Sequence, residues 1–325
     1  ENSMRYLSII FFIFVVSITY ADDNPSVKQI GKGKLSVEIM VPEHPERYNR
    51  GVRFTPVAVV LGAKMDGKEF LFHPEKHDVK NDHGGLASEF DLCIPGGPDE
   101  DLPPGYLEAK EGEGFLKIGV GVLKKKKGEK YSLFQAPEVV SLAKTAVEWT
   151  DVGAKFHQTC EGVNGYAYEL WAEVKLDGNK ITVEWRLANT GSKAFTTKNY
   201  THNFFRFDDR NVGPDYVLSF PYDFKAAGLE AEQVQDGRDI KFVKEIPKWV
   251  NMAVPYPSEY KGANTCDLKN TANGMAITCE TSLPGFATAI HGRPQYVSPE
   301  QFIRLALKPG EEVSWTRSYV LDIGK

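Results

Sequence analysis

Apolar and polar residues alternate with a period of two along most of the chain, which predicts β-strands rather than helices. In residues 181–187, Ile, Val, Trp and Leu fall on one face and Thr, Glu and Arg on the other; residues 166–175 alternate similarly. Asp177 and Gly178 lie between these two segments and form a hairpin-turn signal. Residues 313–321 predict a further strand. The pattern predicts many strands joined by tight turns.

Other segments fit the same architecture. Residues 53–61 and 69–72 flank an Asp-Gly turn and predict another hairpin, whereas 73–105 is rich in Gly, Pro and Asp and predicts a long loop. Only 137–146 predicts a short turn or helix. Strands with one apolar face must bury that face against a second layer. We therefore predict an all-β fold, a single-domain large antiparallel β-sandwich.

The N-terminal segment has the pattern of a secretory signal. A basic start precedes an apolar run over 7–16 and a small residue at Ala21. The run is shorter than the ~20 apolar residues of a membrane span. We predict a signal peptide over 1–21, with read-through residues before Met4, and a mature domain over 22–325. The expected location is secreted or periplasmic, without membrane attachment after signal removal.

Composition and charge limit the kinds of partner and metal site that the protein could have. The 325 residues include 39 Lys and Arg against 44 Asp and Glu, a net charge of −5, which argues against nucleic acid as a partner. Export would permit disulfides. Cys266 and Cys279 flank a predicted turn at 269–274, so a cross-strand disulfide and two buried thiols both remain open. The cysteines show no CxxC spacing, which argues against a zinc site.

One predicted strand carries candidate chemistry, residues 199–207. Alternate positions of a strand share one face, and here they are Tyr200, His202, Phe204 and Arg206. A histidine between two aromatic rings suits a sugar, because rings stack on its C–H faces and polar groups bind its hydroxyls. The alternative is a core strand whose histidine is simply hydrogen-bonded.

Residues 199–207 resemble the Asn-His-x-Tyr-Phe-Asn-Leu stretch of galactose mutarotases, also called aldose 1-epimerases. Residues 48–54, with the following Asp-Gly turn, are similar to the first hairpin of that family, and 307–312 to its closing Leu-x-Pro-Gly-Glu. Residues 114–121 are similar to exported bacterial members of the superfamily. The resemblance spans most of 34–325 and implies the galactose mutarotase-like supersandwich.

The resemblance also implies a mechanism. Family members use a histidine as acid on the sugar ring oxygen and a glutamate as base on the anomeric hydroxyl, and they need no metal or cofactor. His202 matches the acid by motif. An ungapped match puts Ala289 where the family's glutamate belongs. Of two nearby glutamates, Glu280 and Glu300, we favour Glu300, reaching back from a loop; a solvated loop carboxylate is the alternative.

Other residues are predicted sugar contacts. His83 precedes two glycines and is similar to a second family histidine, although a polar loop is an alternative. Arg53 and Lys117 are either ligand contacts or partners for buried glutamates. We favour ligand contacts, because Gly119 and Gly121 would leave room beside Lys117. The predicted carbohydrate-binding set is Arg53, His83, Lys117, Tyr200, Phe204 and Arg206.

Three functions compete at this point. The first is an exported aldose 1-epimerase-like isomerase that interconverts sugar anomers with His202 and Glu300. The second is a non-catalytic carbohydrate-binding or accessory protein on the same fold, and the third is a polysaccharide lyase or hydrolase. All three imply a mono- or oligosaccharide ligand, and we expect a monomer.

Overall fold

The computed structural model describes residues 25–74, 78, 80, 84–90, 102–128, 130–132 and 136–324. Throughout these ranges the chain forms strands, turns and loops, without an α-helix. No helix in this part of the chain is long and apolar enough to cross a membrane. The predicted signal segment and His83 lie outside the described residues.

Two large antiparallel sheets contain most of the strands. The first has nine strands, in the order β1 (Val27–Lys32), β2 (Leu35–Met40), β3 (Val60–Met65), β5 (Leu86–Phe90), β13 (Phe195–Asn203), β21 (Tyr296–Leu307), β20 (Ala287–Arg293) and β17 (Val250–Pro255), with β4 (Lys68–Glu69) paired to β3. The second has ten strands, in the order β15 (Gln233–Asp236), β16 (Asp239–Phe242), β14 (Tyr216–Ser219), β18 (Asn264–Asn270), β19 (Ala276–Thr281), β22 (Glu312–Asp322), β12 (Lys180–Asn189), β11 (Tyr166–Asp177), β10 (Gly153–Val163) and β9 (Lys144–Thr150). A third, smaller sheet contains β6 (Gly114–Lys117), β7 (Gly121–Lys124) and β8 (Val139–Leu142). The predicted all-β antiparallel sandwich is confirmed.

Local patterns located several elements and misplaced others. The hairpin between β11 and β12 turns at Gly178, whose φ of 60° suits glycine. The predicted hairpin across Asp66 and Gly67 forms between β3 and β4, whereas residues 53–59 are bends and turns and not part of its first strand. The segment 137–146 forms strands rather than a helix, and β5 lies inside the predicted loop over 73–105. The secondary structure of these segments depends on pairing with strands that are distant in the sequence, and a local sequence pattern does not contain that information.

The predicted disulfide and thiol alternatives concern β18 and β19. Cys266 lies directly opposite Cys279 across this pair of strands, as the turn between them predicted. Both side chains are buried, and both are free thiols in this structure. Burial raises the pKa of each thiol, because it penalises the charged thiolate.

The main core lies between the two large sheets. Trp185 and Trp315 of the ten-stranded sheet stack there at 6.0 Å between ring centroids. Arg317 of β22 is also buried in it, donating to Thr281 Oγ1 at 2.8 Å and to Asn199 Oδ1 at 3.0 Å. Asn199 therefore faces the other sheet. Because side chains alternate along a strand, the even-numbered residues of β13 face the opposite side of the nine-stranded sheet.

Candidate functional site

His202 lies on that opposite face, near the end of β13. Its ring stacks on Phe204, with centroids 3.9 Å apart and an interplanar angle of 6°. The rings of Phe54 and Tyr296 meet it edge to face at 6.1 and 6.2 Å. The His202 side chain is only 6% exposed. Aromatic packing therefore fixes the orientation of the imidazole.

Glu300 approaches His202 from the neighbouring strand. Its Oε1 lies 3.3 Å from His202 Nε2, and its side chain is 8% exposed. The Ser298 hydroxyl donates to the same Oε1 at 3.2 Å and accepts from the Asn203 amide at 2.8 Å. Glu300 is thus held in place within β21; the expectation that it belongs to a loop was wrong. The structure brings together the two predicted catalytic side chains.

Ala289, the position at which the resemblance expected a glutamate, lies beside Glu300. Ala289 of β20 pairs directly with Glu300 of β21, so the carboxylate stands one strand away from where the resemblance expected a glutamate. Glu280 lies in β19 of the other large sheet and is exposed. Of the two candidate glutamates, only Glu300 is in contact with His202.

The environment of Glu300 shifts its ionisation. Burial raises the pKa of its carboxyl to about 8, and the nearby charge of Glu89 adds to that effect. The positive charge of Arg53 and the hydrogen bond from Ser298 oppose it. A carboxyl with this pKa takes up and releases protons close to neutral pH, which general acid–base chemistry requires.

This shift predicts a pH-dependent stability. The folded-state pKa of about 8 is above the ordinary value of 4.5, so the native state keeps a proton that the unfolded chain loses between these values. The contribution of Glu300 is therefore fully present below the unfolded pKa and is lost as the pH rises through the folded one. We expect Glu300→Gln, which stays neutral, to match the wild type at low pH and to unfold at least about 2 °C higher at pH 8.5.

Thermal unfolding at several pH values between 4 and 8.5 measures this difference. Glu280→Gln removes an exposed carboxyl and is the matched control. We expect the difference between its Tm and that of the wild type to be the same at every pH above about 5. A constant Tm difference between Glu300→Gln and the wild type across this range would contradict the assigned shift.

A second group of charges is buried beside the His202 pair. Glu89 of β5 accepts from Arg53 Nε at 2.8 Å and from the Tyr200 hydroxyl at 2.5 Å. Arg53 Nη2 also donates to the Tyr200 hydroxyl at 2.9 Å. On the other side of Glu89, Lys117 Nζ lies 3.6 Å from Oε1 and donates to the Phe90 carbonyl. Glu89 was not predicted, because its segment was expected to be a loop and forms β5 instead.

These contacts define the positions of the predicted sugar-binding residues. The Lys117 side chain is 1% exposed and lies against Glu89. Lys117 is therefore the partner of a buried glutamate, which was the alternative to a ligand contact. Tyr200 and Phe204 are also buried, at 0% and 3% exposure, and form the floor of the site rather than its surface. Arg53 is 22% exposed at its side chain and reaches solvent.

Arg206 lies on the predicted common face, because Phe205 and Phe207 on either side of it are buried in the main core. It follows the end of β13, and its guanidinium lies 5.6 Å from the Phe72 ring centroid and 3.3 Å from Asp209. Phe72 stacks on Tyr296, which in turn packs against Phe204. Arg206 is therefore on the same face as His202 but is separated from it by aromatic rings.

His291 faces His202 and was not predicted from the sequence. The two ring centroids are 5.6 Å apart with an interplanar angle of 81°. His291 Nδ1 lies 2.8 Å from Asn251 Oδ1 of β17. Burial, together with the charges of Arg293 and Arg53, lowers the pKa of His291 to about 4, so the ring is neutral at neutral pH. It lies two residues after Ala289 in β20, and the alternation of that strand could have indicated it.

No protein-family model and no curated protein matches the sequence. Solved structures do match. One is a galactose mutarotase related enzyme from Lactobacillus acidophilus, with a TM-score of 0.57 and 11% identity over 92% of this chain and 99% of that one.

Two further structures agree. Galactose 1-epimerase from Lactobacillus acidophilus NCFM has a TM-score of 0.56 and 11% identity, covering 94% of this chain and 97% of that chain. A galactose mutarotase-like protein from Clostridium acetobutylicum has a TM-score of 0.55 and 12% identity, covering 91% and 94%. The chain has the galactose mutarotase-like fold, as its sequence motifs suggested.

Proposed function

We propose that the protein interconverts the α and β anomers of an aldose, with Glu300 as general base and His202 as general acid. The observation that carries the proposal is the 3.3 Å contact between Glu300 Oε1 and His202 Nε2. The fold supports it, since solved proteins that share it include a galactose 1-epimerase.

The reaction requires two proton transfers at neighbouring atoms. A base removes the proton of the anomeric hydroxyl, an acid protonates the ring oxygen, and the bond between the ring oxygen and the anomeric carbon breaks. Rotation of the resulting aldehyde and closure by the reverse transfers yield the other anomer. Both oxygens are bonded to one carbon, so the acid and the base must lie close together. The contact between His202 and Glu300 meets this condition.

The surroundings of His202 and Glu300 restrict how a sugar can approach them. Both side chains are less than one-tenth exposed, so only the anomeric end of a sugar reaches them. Arg53 is the more exposed cation of the adjoining cluster, and Glu89 and Tyr200 orient its guanidinium. In the proposed complex, Arg53 donates to a sugar hydroxyl. Lys117 acts indirectly, by neutralising Glu89.

The proposal predicts how the rate depends on pH. Glu300 accepts a proton only in its carboxylate form, which dominates above its pKa of about 8. We therefore expect ionisation of Glu300 to raise the enzymatic rate of anomer exchange between pH 6 and pH 8 while His202 keeps the proton that it donates. Polarimetry measures this rate once the spontaneous rate in the same buffer is subtracted. A pH dependence that is the same in the wild type and in Glu300→Gln over this range would contradict Glu300 as the base.

A second candidate is a carbohydrate-binding protein without catalysis. Ala289 favours it, since that position lacks the glutamate that the resemblance expects. This candidate predicts saturable binding of a sugar with no change in the rate of anomer exchange. Export, which we propose from the apolar N-terminal pattern, would expose either activity to sugars outside the cytoplasm.

A further inference from the structure

The last strand of the ten-stranded sheet has an open edge. β9 pairs with β10 on one side, and no other strand of the described chain pairs with it. The Val147 amide points away from β10 and donates to Glu43 Oε1 at 3.2 Å. Backbone groups alternate along a strand, so those of Thr145 and Trp149 also point outwards. This edge offers a row of hydrogen-bonding groups to another strand.

Exposed apolar side chains flank the edge at both ends. Before β9, Val140 and Leu142 of β8 are 58% and 55% exposed. After it, Val152 in the turn to β10 is 40% exposed. Open edges bordered by apolar side chains favour pairing with another chain. An antiparallel pair would bring each end of one edge against the opposite end of the other.

The charges on the outer face of the sheet indicate which partner fits. Glu173, Lys155 and Glu148 pair across β11, β10 and β9, so their signs alternate towards the edge. The row ends on Glu148, and the next strand should present a positive charge there. Lys144 lies four residues earlier in β9, on the same exposed face. The strand therefore carries both halves of a complementary pair.

We propose that the protein forms a symmetric dimer by antiparallel pairing of β9 with β9 of a second copy, in place of the monomer expected from the sequence. The two-fold axis passes at Ala146. Lys144 of each copy then faces Glu148 of the other, and a shift of the register by two residues removes both pairs. Thr145 lies opposite Val147 of the second copy, and its carbonyl replaces Glu43 as acceptor for the Val147 amide.

Charge reversal tests the interface. We expect a wild-type dimer by light scattering coupled to size-exclusion chromatography. Lys144→Glu creates two like-charge pairs and weakens the dimer at least about tenfold, because directly opposed charges repel across a strand pair. Adding Glu148→Lys to that variant restores opposite charges and the dimer. Lys180→Glu reverses an exposed charge in β12 and is the control, with no expected effect.

A cross-link tests the register. Ala146→Cys places two thiols opposite each other at the two-fold axis, within reach of a disulfide, so a mild oxidant yields a covalent dimer. Lys180→Cys is the control and yields none. A wild-type chain that is monomeric at all concentrations overturns the proposal. So does a dimer that Lys144→Glu leaves unchanged, or one that the double reversal does not restore.

Discussion

Replacing His202 by Gln is expected to slow anomer exchange at least about 100-fold, the usual contribution of one general acid–base group. Glutamine is polar and of similar length, so it fills the space against Phe204, but it cannot deliver a proton to the ring oxygen at neutral pH. Polarimetry on an aldose solution, with the spontaneous rate subtracted, measures the loss.

The His202 experiment needs a matched control and a check of folding. His157 lies on the outer face of the ten-stranded sheet, 3.1 Å from Glu169, and His157→Gln should retain the wild-type rate. Thermal unfolding and circular dichroism establish that both variants are folded. A folded His202→Gln protein with the wild-type rate would show that His202 is a packed core histidine and not the acid.

Replacing Glu300 by Gln is expected to cause a loss of similar size, at least about 100-fold. The amide has the shape of the carboxyl and keeps its contact with Ser298, but it accepts no proton from the anomeric hydroxyl. The remaining rate should no longer rise with pH through about 8, because the group whose pKa sets that rise is gone. Rates measured at pH 6 and pH 8 test both effects.

The controls for Glu300 separate catalysis from charge. Glu280→Gln makes the same substitution at an exposed carboxyl of the other large sheet, and we expect the wild-type rate. Two residues that act as a unit give non-additive effects. The double variant of His202 and Glu300 should therefore be little slower than either single variant. A fully active Glu300→Gln protein would show that another residue is the general base and that Glu300 is only a buried neighbour of His202.

The sequence predicted those parts of the fold that local patterns determine. The β11–β12 hairpin follows from alternation on both sides of an Asp-Gly turn, and β22 from alternation near the C-terminus. β5 was missed, because a five-residue strand between Gly-rich segments is fixed by its pairing with β13 and β3. Strands β8 and β9 were missed as well: all four side chains of β8 are exposed, and the inward side chains of β9 (Thr145, Val147 and Trp149) are only partly buried.

The candidate site was predicted in part. Alternation placed Tyr200 and His202 on one face, and Glu300 was favoured over Glu280 as the substitute for the family's glutamate, whose position Ala289 holds. The Pro299 that precedes Glu300 suggested a loop, yet it lies within β21 opposite Ile290. The cluster around Glu89 could not be predicted, because burying a glutamate between Arg53 and Lys117 depends on three segments that are distant in the sequence.

Whether this site exchanges sugar anomers can be measured on free aldoses. Polarimetry follows anomer equilibration of freshly dissolved aldoses, including glucose, galactose, mannose and xylose, at pH 8 with and without the protein. We expect at least one sugar to equilibrate faster, in proportion to the protein concentration, and Glu300→Gln to remove the acceleration. Rates equal to the buffer rate for every sugar would rule out the proposed anomer exchange.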